Sequence, residues 1–393
     1  MINSLSKPEV RKFIQEHRLD DPAQLVLKAG KNTELPIREI AHQIKCWQKA
    51  RHKLPTLVAH ADLIYPPGVS LEQSSSEATA QYKARLISGQ SLTDLTAGFG
   101  IDAYYLSQRF EQVIAIEQNP DLIPVVEHNL ELLQAGNIRY VRGNAMDYLK
   151  EEKEPSDFYF LDPARRDGAN QKVHLIEDCQ PNLLEILPLL KQRSAKVLIK
   201  LAPLLDIQQA LDRLPNVKEV HVVSVDNECK ELLFQIDFEF EGEPKVVASN
   251  WVQESWDRLE FQYSDEREIA SFSQPMKYIY EPNASIMKAG AFTSVGKQFG
   301  LSKLHRNSHL YTSEKVVAGF PGRVFEIEAV TVLNKKKLKP FLPNNKANIT
   351  VRNYPNTVQE IRKKTSIKDG GSVYLFATTL MDGSASVLVC KKC

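Results

Sequence analysis

The stretch at residues 91–102, SLTDLTAGFGID, constrains the fold more than any other part of the chain. It begins as a short apolar strand, breaks at Gly98 and Gly100, and leads into a helix-like run. A second strand-like run, 112–116, ends on Glu117. A strand, a glycine turn, a helix, a strand and an acid, in this order, build a nucleotide pocket at the carboxyl edge of a parallel sheet. The sequence therefore predicts a Rossmann-like α/β domain.

The glycine turn alone leaves the nature of the ligand open. The run from Gly98 to Ala103, GFGIDA, fits the loose dinucleotide pattern G-x-G-x-x-A, and Glu117 stands near the spacing expected of a ribose-binding acid. One interpretation is therefore an NAD-type oxidoreductase. A tight turn that holds no ligand is a second interpretation.

Two later stretches favour a different cofactor. Residues 143–147, GNAMD, follow a strand-like run, and residues 157–166, DFYFLDPARR, begin as a strand that ends in Asp162-Pro163. In this order and spacing, the three stretches resemble the class I S-adenosylmethionine-dependent methyltransferases over roughly residues 71–237. A nicotinamide enzyme needs no Asp-Pro turn at this place. The methyltransferase interpretation is therefore favoured, with S-adenosyl-L-methionine as the cofactor.

The resemblance implies a set of site residues. Glu117 is the ribose-binding acid, Asn144 and Ala145 contact the adenine ring, and Thr96 stands where this family often has a glycine. The residues that the resemblance and the preceding helix cap suggest for the cofactor are Gln73, Ser75, Asp94, Thr96, Ala97, Gly98, Gly100, Asp102, Glu117, Gln118, Asn144, Ala145 and Asp162. The residues that it suggests for catalysis are Asp162, Pro163 and Arg165.

The turn after the fourth strand bears on the methyl acceptor. Amino methyltransferases carry a D/N-P-P-aromatic turn, whose first half is kept in Asp162-Pro163, while Ala164-Arg165 departs from the second half. The turn also resembles the D-P-P-R-x-G turn of uridine-C5 RNA methyltransferases. Those enzymes need a cysteine nucleophile after the fifth strand, where this chain has KLAPLLD at 200–206. An exocyclic purine amine is therefore favoured over a pyrimidine carbon.

Basic residues suggest how a nucleic acid could be held. Arg165, Arg166 and Lys200 follow strand ends at the predicted cleft, where they could contact a phosphate or stack on a base. Lys335, Lys336 and Lys337 begin a basic cluster in a segment, 326–393, that holds twelve Lys or Arg and five Asp or Glu, a net charge of 12 − 5 = +7. The plainer alternatives are a salt bridge of the two arginines with Asp167 or Glu177, a strand-end Lys200 that reaches solvent, and a solvated charged face for the C-terminal lysines.

Composition excludes several classes of protein. The 393 residues are 42% apolar and 25% charged, as is typical of a soluble chain, and no run suggests a signal peptide or a membrane span. Five scattered cysteines suggest reduced thiols in the cytoplasm rather than a disulfide framework. The pair Cys390 and Cys393 lacks the further ligands of a zinc site, so a frayed tail is expected and no metal is predicted.

The order of segments predicts four domains. We expect a helical domain at 1–70, a methyltransferase domain at 71–275, a small ferredoxin-like α+β domain at 276–320 and a THUMP-like basic domain at 321–393. This order resembles a bacterial group of predicted methyltransferases that carry a THUMP-like domain. THUMP domains are RNA-binding modules of RNA-modifying enzymes, so the resemblance implies an RNA partner. The expected function is methylation of a base in rRNA or tRNA. An RNA-binding protein with an inactive methyltransferase domain is an alternative, beside the oxidoreductase. A small-molecule methyltransferase is a further alternative, against which the basic tail argues.

Periodicity predicts the elements of the central domain. The seven expected strands of the methyltransferase core lie near 92–95, 112–116, 138–141, 158–161, 197–200, 220–225 and 232–238. Three further predictions are a helix at 178–190, a β-hairpin at 239–250 and a single helix at 285–299.

Overall fold

The computed structural model describes residues 2–29, 34–66, 70–151, 155–165, 176–193 and 196–393. The chain forms two compact units, one of residues 1–218 with 233–241 and one of residues 219–232 with 242–393. The N-terminal helices thus belong to the same unit as the Rossmann-like strands, and the four predicted domain boundaries stay predictions. In the described residues, no helix has both the length and the apolar character needed to cross a membrane.

The helices follow one another along the described residues as α1 Ile2–Leu5, α2 Pro8–His17, α3 Pro22–Lys28, α4 Ile37–Lys53, α5 Ser70–Gln73, α6 Glu77–Leu86, α7 Ile101–Ser107, α8 Ile123–Leu132, α9 Ala145–Glu151, α10 Leu183–Lys191, α11 Ile207–Leu211, α12 Ala284–Ala289, α13 Ser294–Gln298, α14 Lys335–Leu338 and α15 Val358–Thr365. Several begin at a polar cap that satisfies free backbone N–H groups. Asp21 caps α3, Ser76 caps α6, and Thr357 forms a reciprocal capping box with Glu360 in α15.

The strands are β1 Gly89–Asp94, β2 Phe110–Glu117, β3 Ile138–Arg142, β4 Phe158–Leu161, β5 Ala164–Arg165, β6 Cys179–Gln180, β7 Lys196–Leu201, β8 Val217–Val225, β9 Glu228–Asp237, β10 Lys245–Val252, β11 Ser255–Phe261, β12 Tyr278–Pro282, β13 Ser302–Lys303, β14 Tyr311–Ser313, β15 Gly322–Thr331, β16 Asn348–Arg352, β17 Val373–Thr379 and β18 Ala385–Lys392. All seven strands predicted for the core are present, which confirms the α/β class.

The first unit is built on five parallel strands in the order β7-β4-β1-β2-β3. The interior strand β4 is buried along its whole length, and its sequence FYFL shows the continuous apolar run typical of a strand covered on both faces. Because all five strands are parallel, their carboxyl ends meet at one edge. The glycine turn after β1, the acid at the end of β2 and the turn after β4 therefore lie at the same edge of the sheet.

The N-terminal helices share a core with a helix of the parallel sheet. Ile40 and Ile44 of α4 are buried in one cluster with Val125 of α8. Asn129, also in α8, accepts a hydrogen bond from the N–H of Ile64 at 2.9 Å and donates one to its carbonyl at 2.8 Å. This pair of bonds ties the segment after α4 to the Rossmann-like layer.

In the second unit, β10 pairs in parallel with β8 and antiparallel with β11. The predicted hairpin at 239–250 is wrong, because residues 238–244 form no strand and the observed hairpin turns at 253–254 instead. Trp251 faces Trp256 across this hairpin, with ring centroids 5.2 Å apart.

The second sheet of this unit has seven strands in the order β13-β14-β12-β15-β18-β17-β16. The predicted single helix at 285–299 is divided into α12 and α13, because Gly290 ends α12 in the left-handed conformation at φ 78°. The expected frayed tail is also wrong. The last strand, β18, lies between β15 and β17, and Cys390 is fully buried in it.

Replacing Gly100 by alanine should destabilise the first unit by about 1–3 kcal/mol. Gly100 has φ 82°, and an added Cβ would lie 2.5 Å from Tyr140 Oη and 3.1 Å from Val126 Cγ1. Gly143→Ala is the matched control, since nothing lies within 4 Å of a Cβ there. Chemical denaturation of the two variants measures the difference, and equal stabilities would contradict the requirement for glycine at position 100.

Candidate functional site

The glycine turn after β1 is hydrogen-bonded to Glu117, the acid that ends β2. The N–H of Gly98 donates to Glu117 Oε2 at 2.9 Å, and the N–H of Asn119 donates to Glu117 Oε1 at 2.6 Å. Gly98 has φ 53°, and a Cβ there would meet nothing closer than the Thr96 carbonyl oxygen at 3.9 Å. The turn is therefore fixed in conformation and leaves open space beside its backbone.

Thr96 joins the glycine turn to the turn after β4. Its Oγ1 accepts a hydrogen bond from the N–H of Asp162 at 2.6 Å. One residue earlier, the N–H of Leu95 donates to the Phe160 carbonyl at 2.9 Å, continuing the β1–β4 ladder. A glycine at position 96 could not make this side-chain hydrogen bond. The threonine therefore links the glycine turn, predicted to bind the cofactor, directly to the Asp162 turn, predicted to be catalytic.

A buried ion pair lies under the first turn of α7. Lys83 of α6 is fully buried, and its Nζ lies 3.2 Å from Asp102 Oδ1. Ser75 Oγ donates to Asp102 Oδ2 at 2.7 Å and accepts from Lys83 at 3.1 Å. Burial alone would raise the pKa of Asp102, but the charges of Lys83 and Lys200 outweigh it and hold that pKa below its ordinary value.

Lys200, near the end of β7, extends this cluster to the turn after β4. Its Nζ lies 2.6 Å from Asp162 Oδ2, 3.2 Å from Ser75 Oγ and 4.0 Å from Asp102 Oδ2. The side chain of Lys200 is 12% exposed and that of Asp162 is 33% exposed. The alternative that a lysine at this strand end reaches into solvent is therefore wrong, because the ammonium turns inward to two aspartates and a serine.

Asp94, at the end of β1, has the opposite electrostatic character. Its Oδ1 accepts from the N–H of Thr96 at 2.9 Å, and its Oδ2 has no hydrogen-bond partner among the described residues. Burial raises the pKa of Asp94 well above its ordinary value, and the charges of Asp102, Asp162 and Glu117 add to the rise. Asp94 therefore carries a proton far more readily than an exposed aspartate.

Cys179 lies beside the turn after β4, in β6 opposite Arg165 of β5. The predicted helix at 178–190 is thus wrong at its start, because 179–180 are strand and Asn182 caps α10 only afterwards. Burial, followed by the charges of Asp178, Glu177 and Asp162, raises the pKa of the Cys179 thiol to about 11. A thiol with so high a pKa is a poor nucleophile at neutral pH.

Hydrogen bonds and ion pairs connect six of the predicted site residues into one network, directly or through each other: Ser75, Asp94, Thr96, Asp102, Asp162 and Lys200. Within it, Thr96 contacts Asp94 and Asp162. Gly98 and Glu117 form a separate hydrogen-bonded pair. Gly100 stands at the start of α7. The roles of these residues in binding and catalysis stay predictions.

Other predicted residues take no part in these hydrogen bonds and ion pairs or are only partly described. Gln73 and Gln118 are exposed, Ala97 and Ala145 are buried, and Pro163 is half-buried. Asn144 caps α9, with its Oδ1 accepting from the N–H of Asp147 at 2.9 Å. Of Arg165 the structure describes the backbone, and Arg166 lies outside the described residues.

The three predicted lysines of the C-terminal segment belong to the second unit. Lys335, Lys336 and Lys337 form the start of α14, whose N-terminus is capped by Asn334. Lys335 Nζ donates to Ser366 Oγ at 3.0 Å, and all three side chains are exposed. Their exposure leaves them accessible to a ligand.

Sequence analysis missed two residues of the site, Lys83 and Tyr140. Lys83 falls three residues after Ala80, on the buried face of α6, where an apolar residue is the usual choice. A lysine at this helical spacing from a buried alanine could have indicated a buried charge that needs a partner. Tyr140 of β3 donates to the carbonyl of Gly98 at 3.4 Å, and nothing local in the sequence indicates this contact.

Asp94→Asn should gain stability relative to the wild type as the pH rises. Because the pKa of Asp94 is raised in the folded protein, its contribution is full below about pH 4 and is lost as the pH rises from there through the folded pKa. Asparagine stays neutral and escapes this loss. Thermal unfolding at about pH 5 and about pH 8 measures the gap between the two proteins.

The exposed Asp121→Asn serves as the control for that measurement and should show no such trend. A gap between the Asp94→Asn variant and the wild type that stays constant from about pH 5 to about pH 8 would mean that Asp94 is already ionised in the folded protein at about pH 5.

Comparisons with known proteins agree with this geometry. A candidate methyltransferase from Porphyromonas gingivalis W83, known from its crystal structure, is 32% identical, with a TM-score of 0.87 over 98% of this chain and 97% of that one. An uncharacterized S-adenosylmethionine-dependent methyltransferase from Mycobacterium tuberculosis H37Rv is 21% identical over 335 residues, 82% of this chain and 87% of the relative. An uncharacterized RNA methyltransferase from Mycoplasma mobile is 27% identical over 92 residues, 23% of this chain and 25% of the relative.

Two family models match the C-terminal part of the chain. A ferredoxin-like domain matches residues 278–321, and a THUMP domain-like module matches residues 322–392. These matches fall on the seven-stranded sheet of the second unit.

A parallel sheet with a glycine turn, an acid after the next strand and an Asp-Pro turn at one edge defines a Rossmann-like methyltransferase. With the similarity above, the chain belongs to the S-adenosylmethionine-dependent methyltransferases that carry a THUMP-like C-terminal domain. The cofactor of this family is S-adenosyl-L-methionine.

Proposed function

We propose that this protein transfers a methyl group from S-adenosyl-L-methionine to an exocyclic amine of a base in rRNA or tRNA. The observation that carries the proposal is the carboxylate of Asp162, one-third exposed at the edge where the glycine turn lies and tied to that turn through Thr96. A hydrogen-bond acceptor at this place is what an attacking amine requires.

The residues around the glycine turn fit the cofactor. The open backbone at Gly98 leaves room for a ligand, and Glu117 is held at the rim with each oxygen on one backbone N–H. Each carboxylate oxygen accepts more than one hydrogen bond, so Glu117 can also receive the two hydroxyls of a ribose. The buried Oδ2 of Asp94 offers a further polar contact.

The chemistry asks little of the protein beyond placement. When bound, S-adenosyl-L-methionine supplies an electrophilic methyl group that an in-line nucleophile can displace from sulfur. Asp162 would accept a hydrogen bond from the acceptor amine, which orients the nitrogen lone pair and later helps the nitrogen to lose its proton. Arg165 would hold the base or a neighbouring phosphate.

An amine acceptor is favoured over a pyrimidine carbon because the carbon requires a reactive thiol. Cys179 is the cysteine beside the Asp162 turn, and its pKa of about 11 keeps it protonated. Cys46 and Cys390 are also buried. An amine nucleophile needs no covalent help from the enzyme, and this fits a turn that offers a carboxylate.

RNA is favoured as the substrate for two reasons. The Mycoplasma mobile relative is named as an RNA methyltransferase, and a THUMP domain-like module matches residues 322–392. The net charge of +7 over residues 326–393 would attract a phosphate backbone. Nucleoside mass spectrometry of RNA from strains with and without the gene would identify the acceptor atom.

Glu117→Ala should weaken the binding of S-adenosylhomocysteine by about 10–100-fold. This factor corresponds to the loss of about 1.5–3 kcal/mol of binding free energy, the usual contribution of hydrogen bonds to a charged group. Isothermal calorimetry with S-adenosylhomocysteine measures the affinity, with NAD as the comparison ligand. Glu111→Ala, an exposed acid on the same strand, is the control and should bind like the wild type. Unchanged affinity in Glu117→Ala would show that this acid does not contact the ribose.

Replacing Lys335, Lys336 and Lys337 together by glutamine should weaken RNA binding and lower the slope of log K against log salt by about 2. A short fluorescent single-stranded RNA titrated at several salt concentrations measures both. The control replaces Lys7, Lys12 and Lys28, which are exposed on the N-terminal helices and give the same change in net charge. Equal slopes in the two triple variants would mean that α14 does not contact the RNA backbone.

A further inference from the structure

The ammonium of Lys200, near the end of β7, is paired with the carboxylate of Asp162 within the protein itself. Lys200 Nζ lies 2.6 Å from Asp162 Oδ2, the spacing of a strong charge-assisted hydrogen bond. An ammonium so compensated has little net charge left to attract a phosphate, the role that the sequence suggested for it. Its position points to a different task, which concerns Asp162 itself.

The two carboxylate oxygens of Asp162 are in different situations. Oδ2 accepts from Lys200, and the backbone N–H of Asp162 is held by Thr96. Among the described residues, no hydrogen bond reaches Oδ1, although the side chain is one-third exposed. One oxygen is therefore fixed and the other can accept a hydrogen bond at the open edge of the sheet.

We propose that Lys200 is a positioning residue, whose ammonium fixes Oδ2 of Asp162 so that Oδ1 faces the acceptor amine. This inference rests on the proposed function. A carboxylate on a half-exposed turn would otherwise rotate about its side-chain bonds, and each wrong rotamer would take the acceptor oxygen out of line. An ion pair formed beforehand removes that freedom before the acceptor binds.

Ser75 supports Lys200 from the other side. Its Oγ accepts from Lys200 at 3.2 Å and from Lys83 at 3.1 Å, and it donates to Asp102 Oδ2 at 2.7 Å. Lys83 and Asp102 are buried, so Ser75 itself has little room to move. The long flexible side chain of Lys200 is thereby anchored to the first turn of α7, and through it to the glycine turn.

The charges of this cluster balance. Two ammonium groups, Lys83 and Lys200, face two carboxylates, Asp102 and Asp162, and the hydroxyl of Ser75 lies between them. Removing the charge of Lys200 would leave Asp162 without its partner and Asp102 with one cation fewer. We therefore expect the loss to appear in the orientation of Asp162 and not in the binding of RNA.

The test compares Lys200→Met and Lys200→Arg with the wild-type protein. Transfer of tritiated methyl groups from S-adenosyl-L-methionine to total RNA from a strain that lacks the protein gives kcat and KM for RNA, and calorimetry gives the affinity for S-adenosylhomocysteine. Lys200→Met should lower kcat by about 100-fold, the cost of a misplaced group. KM for RNA should stay within about twofold, and Lys200→Arg should recover most of the rate.

Lys196→Met is the matched control. Lys196 is the first residue of β7 and lies on the same face of the strand as Lys200, but it is exposed. Its substitution should leave kcat and KM unchanged. A Lys200→Met variant that keeps its kcat and raises KM for RNA would instead identify Lys200 as a substrate contact, and one that resembles the wild type in both would equally overturn the inference.

A double-mutant cycle separates an effect through Asp162 from a general structural effect. If Lys200 acts by positioning Asp162, then Lys200→Met should change kcat by less than about twofold once Asp162 is replaced by Asn. A full additional loss in that background would contradict the inference. Should Lys200→Met fail to unfold cooperatively on heating, Ser75→Ala replaces it, with an expected fall in kcat of about tenfold and an unchanged KM.

Failure of the proposed function gives a different pattern. A wild-type protein that binds no S-adenosylhomocysteine and transfers no methyl group contradicts the function, and the inference falls with it. An active wild type beside an equally active Lys200→Met contradicts the inference alone.

Discussion

The functional edge of this protein depends on one buried ion pair, Lys83 with Asp102. Taking two such charges out of water costs several kcal/mol for each ion, and their attraction repays this only where further hydrogen bonds complete the site. Ser75 supplies those hydrogen bonds, and Lys200 adds a second cation 4.0 Å from Asp102. Removing one partner of a buried pair typically costs about 3–5 kcal/mol. The packing of α6 against α7 therefore depends on Ser75 and Lys200, and Lys200 also contacts Asp162 in the turn after β4.

Environment shifts the pKa values of two aspartates at this edge in opposite directions. Asp94 and Asp102 are both buried, yet the pKa of Asp94 is raised and that of Asp102 is lowered. The difference is the cations, since Lys83 and Lys200 lie at Asp102 while Asp94 receives one backbone N–H. The raised pKa of Asp94 favours its neutral form, which limits the buried negative charge beside Asp102. The lysines thus favour the anionic form of Asp102.

The sequence predicted those features that depend on neighbouring residues. The seven core strands, the glycine turn and the acid at Glu117 were readable because burial on both faces and tight turns leave local patterns. The pairing of Lys200 with Asp162 was not, since the two are 38 residues apart and only the parallel sheet brings them together. The same limit explains β10, whose parallel pairing with β8 replaced an expected local hairpin. It also explains the tail, where Cys390 is buried by distant strands.

The departure of the turn from the amino-methyltransferase pattern has a structural cause at position 164. Ala164 pairs with Gln180 in the short β5–β6 ladder, where a proline would bring no N–H group to the ladder. The same ladder sets Arg165 opposite Cys179, at the place where the pattern has an aromatic residue. An arginine guanidinium is planar and can stack on a base as an aromatic ring does, while adding a charge for phosphate. Under the proposed function, the sequence change would replace the means of holding a base and leave the Asp162 carboxylate in its place.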